Sequence, residues 1–241
     1  GFAAQEVKEH YGQVYDLCLV AGESATAQLF PALFGLWTFS EVSADYAKAQ
    51  EMGERLLDLA ARVGDSGIQL GGHIAYGAAR LMRGDLAAAR KHFEKGLDVY
   101  DMAQHAPLAM VFGQDGGAMC AAFLTWVHAH EGNAEAGYAR AAQALQMCDA
   151  LGQPGTRGFV ECVLASFYCL LEEYEQGALH SDSVIALAEQ EGMPHWAAQG
   201  AINRGWAVGR GDQAAEAAET IRQSIAGLTA LGTRASMTYF L

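Results

Sequence analysis

One positional regularity constrains this chain more than anything in its composition. Counting from Ala49, residues Ala89, Gly137, Gly177 and Ala217 follow at steps of 40, 48, 40 and 40, and the column holds only the two smallest side chains. Eight residues beyond each lies a branched aliphatic residue: Leu57, Leu97, Leu145, Ile185 and Ile225. Fifteen beyond lie Gly64, Gln104, Gly152, Gly192 and Gly232. Glycine there suits the left-handed residue just past a helix C-terminus. Four before lie Asp45, Asp85, Asn133, Glu173 and Gln213, of which the first three are good helix N-caps. A period of this length marks a helical array, in which no unit buries its own apolar face and stacked neighbours share a core.

Each unit parses as two helices, because apolar residues recur at spacings of three and four, as in "DLAAARKHFEKGLDVY". Strand signals are nearly absent: there is no Asn-Gly hairpin turn and no sustained alternation of β-branched residues. The fold class expected is all-α, an α-α superhelix of the solenoid kind, forming a single domain over residues 1–241. Helix pairs are expected near 24–64, 66–102, 115–151, 156–191 and 195–231, after a lone helix near 2–21 and before a trailing helix that starts at "MTYFL". The step of 48 places an insertion in "DMAQHAPLAMVFGQDGG", residues 101–117. Ala49, Ala89, Gly137, Gly177 and Ala217 are expected where the partner helix comes closest, since glycine in a helix costs about 1 kcal/mol relative to alanine and needs a packing reason.

Composition excludes some partners. The formal net charge is -13 and only four lysines occur, so a phosphate backbone would be repelled and nucleic acid is not expected as a partner. Five cysteines, mostly within helical patterns, fit reduced thiols in the cytoplasm rather than a disulfide framework. No leader and no run of about 18 uncharged apolar residues suggests export or a membrane partner. The chain opens on Gly1 within a helical pattern and closes inside another, from which a fragment of a longer polypeptide is expected. Apolar faces left at such ends would support a homodimer.

The pattern Gly77, Gly84, Asp85, Leu86, Ala89 and Phe93 resembles the tetratricopeptide repeat, whose usual period is shorter, near 34. More specifically, "LFPALFGLW" (29–37), "FGQDGG" (112–117), "RGW" (204–206) and "YFL" (239–241) look like the C-terminal repeat region of bacterial adenylate cyclase and STAND-type ATPase fusion proteins. This chain departs from that family at Gly116, where proline is common. The resemblance implies a sensor region and, as intramolecular partners, nucleotide cyclase and ATPase domains elsewhere in the parent chain. It carries over no catalytic residue. None of the four lysines follows a glycine, so no G-x-x-x-x-G-K-[ST] phosphate loop exists here.

Chemical constellations are sparse. "GQPGTRG" (152–158) lacks the lysine of a phosphate cradle and reads as a turn with helix caps. His128 and His130 are roughly 200° apart around a helix, which rules out a shared metal on one face. Cys162 and Cys169 share a face and read as packing, "HSDS" (180–183) reads as an exposed helix surface, and Glu172, Glu173 and Glu175 as a solvated acidic turn. No catalytic residue, cofactor or metal is assigned.

One pattern points to recognition. The column eleven before the small residues reads Thr38, Ala78, Trp126, Ser166 and Trp206, and four earlier stand Phe34, Ile74, Ala122, Cys162 and Ile202. A groove lined by Phe34, Thr38, Ile74, Trp126, Ser166, Asn203, Arg204, Trp206 and Arg210 would suit an extended peptide or helix from a protein partner. Trp126 and Trp206 belong either to that groove or to the core. The expected function is a non-catalytic sensor or scaffold that binds protein or peptide. A small-ligand sensor, similar to the repeat domains of sugar-responsive activators, is the alternative, and a free-standing enzyme the third reading.

Overall fold

The computed structural model describes residues 5–235, apart from the side chains of residues 23 and 24, and the described residues form helices and turns with no strand. A leading helix α1 (Gln5–Ala21) precedes the hairpin of α2 (Thr26–Val42) and α3 (Tyr46–Val63), then that of α4 (Ser66–Met82) and α5 (Leu86–Val99). Two single-turn helices, α6 (Met102–His105) and α7 (Ala109–Phe112), occupy the long connection. Three hairpins follow: α8 (Gly116–His130) with α9 (Ala134–Leu151), α10 (Pro154–Leu170) with α11 (Tyr174–Glu191), and α12 (Pro194–Val208) with α13 (Ala214–Ala230). Consecutive helices pack on one another, and first helices of neighbouring hairpins also touch, α2 on α4 and α10 on α12. That is the α-solenoid fold class. The described residues form two compact units: one runs to Cys120 and takes in Leu231–Ala235, the other is Ala121–Ala230. The expected trailing helix at "MTYFL" and the "YFL" motif lie outside the described residues, as do residues 2–4.

The columns explain the hairpin ends. Asp45, Asp85 and Asn133 each accept a hydrogen bond from the amide three residues on, at 3.1, 3.1 and 3.2 Å. Gly64, Gly152 and Gly192 are left-handed C-caps with φ of 73°, 61° and 66°. Glu173 makes no capping bond, and Gln213 ends a 3₁₀ turn instead. "GQPGTRG" is a joint: Gly152 closes α9, Pro154 opens α10 where its missing N–H has no partner to lose, and Arg157 pairs with Asp149 and Glu161.

In α3, α9 and α11 the buried seam runs at 0, 4, 7 and 11 residues from the small column. It reads Ala49, Gly53, Leu56 and Ala60 in α3, Gly137, Ala141, Ala144 and Cys148 in α9, and Gly177, Ser181, Val184 and Ala188 in α11. These positions lie on one line of a helix of 3.6 residues per turn. The aliphatic column eight beyond is one position further round and stays half-buried in all five hairpins.

Ala49 and Ala89 are wholly enclosed and Ala217 nearly so. A Cβ on Gly177 would lie 2.6 Å from Cys169 Sγ and 3.2 Å from Ala165 O, both on the partner helix α10. Gly137 differs from expectation. Its Cβ would meet the Phe167 ring at 2.7 Å, so its smallness serves the following hairpin more than its own partner helix, where His128 Cβ stands at 3.7 Å.

The long connection is anchored in the first unit. Phe112 packs on Phe30 (5.8 Å, 82°) and Phe34 (4.6 Å, 47°). His105 Nδ1 accepts from Asp101 N at 2.8 Å, which leaves Nε2–H to donate to Ser66 Oγ at 2.9 Å. The fully buried Asp115 accepts from Tyr100 Oη at 2.8 Å and from Ala118 N at 2.9 Å, capping α8. Late in the chain, Arg234 N and Ala235 N donate to Val42 O at 2.6 and 3.0 Å, so residues 231–235 cap the end of α2.

Candidate functional site

The residues expected to line a groove divide by environment. In the first unit Phe34 and Ile74 are 1% and 0% exposed, so both belong to the core. Thr38 is half-buried and donates its hydroxyl to Phe34 O at 2.9 Å. In the second unit Trp126 is half-buried and its indole N–H donates to Val163 O of α10 at 2.9 Å. Ser166 and Asn203 are both buried: Ser166 Oγ lies 3.1 Å from Asn203 Oδ1, and Asn203 Nδ2 donates to Cys162 O at 2.9 Å. Two members of the column eleven before the small residues, Trp126 and Ser166, therefore stitch first helix to first helix, α8 to α10 and α10 to α12. Breaking such a stitch strands a buried polar group, at a cost of about 1–3 kcal/mol. Arg204 and Arg210 are exposed and Trp206 half-exposed. Arg204 Nε is held by Asp182 at 2.5 Å, and the Arg210 guanidinium covers the Tyr174 ring.

A second polar layer recurs sixteen residues before and three after the small column. In α4/α5 it is His73 and His92, with Nδ1 atoms 3.1 Å apart, one donating and one accepting. Burial, followed by like charges including Lys95, pushes both imidazoles from 6.5 down to about 4, which keeps the pair neutral. Tyr76 packs on His92 at 4.6 Å. In α10/α11 the same two places hold the buried Glu161 and the half-buried His180, with His180 Nδ1 2.6 Å from Oε2. Tyr168 lies flat on His180, centroids 5.1 Å apart and planes 6° apart, and Tyr138 stacks behind Tyr168 at 6.3 Å. "HSDS" is exposed surface at Asp182 and Ser183 only: His180 faces inward and Ser181 is fully buried, donating to Gly177 O at 2.7 Å. The signal was present in the sequence, since both pairs are nineteen residues apart in one register.

In α12/α13 those two places hold Ala201 and Thr220. A cavity of about 280 Å³ opens there, lined by Ala201, Arg204, Val208, Gln213, Glu216 and Thr220 among others. A neighbouring cavity of about 220 Å³ is lined by Trp206, Gly209, Ala214, Ala218 and Ile221. Both reach Gly205 and Ala217, the close crossing of the two helices. Arg204 and Trp206 thus border adjoining hollows of the same hairpin.

Other chemistry is muted. All five cysteines are buried and outside any disulfide. Burial raises the thiols of Cys120 and Cys162, and holds that of Cys169 up at about 11. Trp37 Nε1 and Glu41 Oε2, one turn apart on α2, are buried without a hydrogen-bond partner, and burial pushes the Glu41 carboxyl up to about 8. Among the described residues no group of three or more His, Cys, Asp or Glu stands close enough to hold a metal, and no single helix is long and apolar enough to cross a membrane.

Consecutive helical hairpins with surface hollows define a helical-repeat protein of the α-solenoid class. Among solved structures, the chain is similar to BtubC (BKLC) from P. vanneervenii, with a TM-score of 0.60 and 15% identity over 93% of this chain and 87% of that one. At that identity the likeness shows the fold alone. No family model matches the sequence, and no curated protein matches it.

Proposed function

We propose that this chain is a non-catalytic binding module that captures a peptide or protein segment on the α12/α13 hairpin. The observation that carries the reading is the pair of adjoining hollows bordered by Arg204 and Trp206. An exposed cation and a half-exposed indole beside apolar recesses are the side-chain types that dominate binding energy at interfaces. Arg210, exposed at the end of α12, extends the cationic edge. With a net charge of -13 and Arg204 already paired with Asp182, the segment favoured is uncharged or basic rather than acidic. The finer reading is that the module is a tetratricopeptide-like sensor of a bacterial cytoplasmic signalling protein, relaying occupancy to attached cyclase or ATPase domains.

The test is a peptide-display selection on the chain, with binding of enriched sequences followed by fluorescence. Arg204→Ala and Trp206→Ala should each weaken capture roughly tenfold or more while the helical circular dichroism is retained. Enriched peptides that bind both variants as well as the parent would reject this hairpin as the site.

A further inference from the structure

The α12/α13 cavity has filled counterparts elsewhere in the same chain. Forty residues earlier, the places of Ala201, Val208, Gln213 and Thr220 hold Glu161, Tyr168, Glu173 and His180. There the Tyr168 ring lies parallel to His180 at 5.1 Å, and Glu161 closes the far side against His180 at 2.6 Å. In α4/α5 the places of Arg204, Val208 and Thr220 hold Tyr76, Arg80 and His92, where Tyr76 packs on His92 at 4.6 Å with the Arg80 guanidinium 5.8 Å from its ring. In both hairpins the space between the two helices is filled by two rings, one from each helix. In α12/α13 three large residues are replaced by alanine, valine and threonine, the turn between the helices becomes a 3₁₀ turn at Gly211–Gln213, and a void of about 280 Å³ lies there.

We propose that this cavity receives one aromatic side chain of the captured peptide, a ring with a hydrogen-bonding tip such as tyrosine, in the space that Tyr168 and His180 fill in the preceding hairpin. The inference rests on the peptide-binding reading above and names the chemistry of its anchor. The volume lies just below the roughly 300 Å³ at which pockets for drug-sized ligands begin, which suits a single ring. Ile185, Ala201, Gly205 and Val208 supply apolar walls. Arg204, its Nε fixed by Asp182, offers a planar cation to the ring, as Arg80 does to Tyr76. Gln213 and Glu216 offer acceptors to a phenol hydroxyl, and the equivalent of Gln213, Glu173, already accepts the hydroxyl of Tyr138. The ring would thus take up volume that a ring pair fills in the preceding hairpin, with the Arg204 guanidinium as its planar neighbour.

The test uses p-cresol as a probe of the ring site and the methyl groups of Ala201, Val208 and Thr220 as reporters, observed by NMR on the whole chain. Titration with p-cresol should shift all three methyl signals saturably, and cyclohexanol should not. The variant Val208→Tyr/Thr220→His rebuilds the α10/α11 stack and should abolish the effect, with helical content and melting temperature confirming its fold. If the double variant does not fold, Thr220→His alone serves, and should weaken p-cresol binding roughly tenfold. Peptides from the display selection should carry an aromatic residue whose replacement by leucine weakens binding to a similar degree. Absence of saturable shifts, or equal shifts with cyclohexanol, overturns the ring site even if peptides bind. Selected peptides without an aromatic residue overturn it while sparing the peptide-binding reading. Saturable p-cresol binding with no peptide selected overturns that reading and, with it, the peptide as source of the ring.

Discussion

In α10/α11 the gap between the helices is closed by Tyr168 lying on His180 with Glu161 beneath; one period later the same places hold Val208, Thr220 and Ala201, and the gap stands open. The two hairpins share their small-residue crossing, Gly177 in one and Ala217 in the other. They differ in what surrounds it. Gly177 is hemmed by Cys169 Sγ and Ala165 O, whereas Ala217 borders two hollows. A repeat thus fixes the backbone through a few tiny residues, and leaves side-chain volume free to make one copy a strut and another a receptacle.

The largest expected contrast comes from enlarging the two crossings. Gly177→Leu should lose about 3 kcal/mol of unfolding free energy in urea, because overpacking a closed site displaces backbone, whereas Ala217→Leu should lose less than about 1.5 kcal/mol, its side chain entering a hollow. Equal losses would mean that α12/α13 is as tightly packed as its neighbour.

Acid should separate the hairpins next. His73 and His92 sit at about 4 in the folded chain against 6.5 for a free imidazole, so between those values the unfolded chain binds more protons. Their contribution is fully present above pH 6.5 and is lost as pH falls towards 4. Amide protection factors in α4 and α5, corrected for the intrinsic exchange rate at each pH, should fall over that window. At the matching places of α12/α13, Ala201 and Thr220 have nothing to titrate. His92→Leu should flatten the acid response, and an unchanged response would assign it to other groups.

The smallest effect concerns the turns. Glu172 is held at φ 63°, where the equivalent residues Gly84 and Gly132 adopt 79° and 74° without strain. Glu172→Gly should raise stability by up to about 1 kcal/mol. Asp212, at the same repeat position in α12/α13, lies in a 3₁₀ turn without positive φ, and Asp212→Gly should bring no gain in thermal melting.

The hairpin framework was legible because it is written in residues with narrow conformational roles: Asp45, Asp85 and Asn133 as caps, and Gly64, Gly152 and Gly192 as terminators. The buried seam was not, since Gly53, Ala141, Ala144 and Ser181 carry little hydrophobic signal and drew attention to the bulkier column beside them. Ser166 read as a groove residue through its column register, and Asn203 through its nearness to Trp206. Only their mutual hydrogen bond, across 37 residues, shows why they can be buried. The α12/α13 hollow was invisible for a related reason: a cavity is set by which large residues are missing, and Ala201 and Thr220 stand out only against Glu161 and His180 in register.

The five native thiols, each enclosed and those of Cys120, Cys162 and Cys169 also held in the protonated form, give the molecule a practical property. Maleimide or spin-label reagents, which attack only accessible thiolate, should pass over the folded chain. A single cysteine introduced at exposed Met110 or Arg204 would then be the one reactive handle, and distances from it could be read without first stripping the protein of its own sulfur.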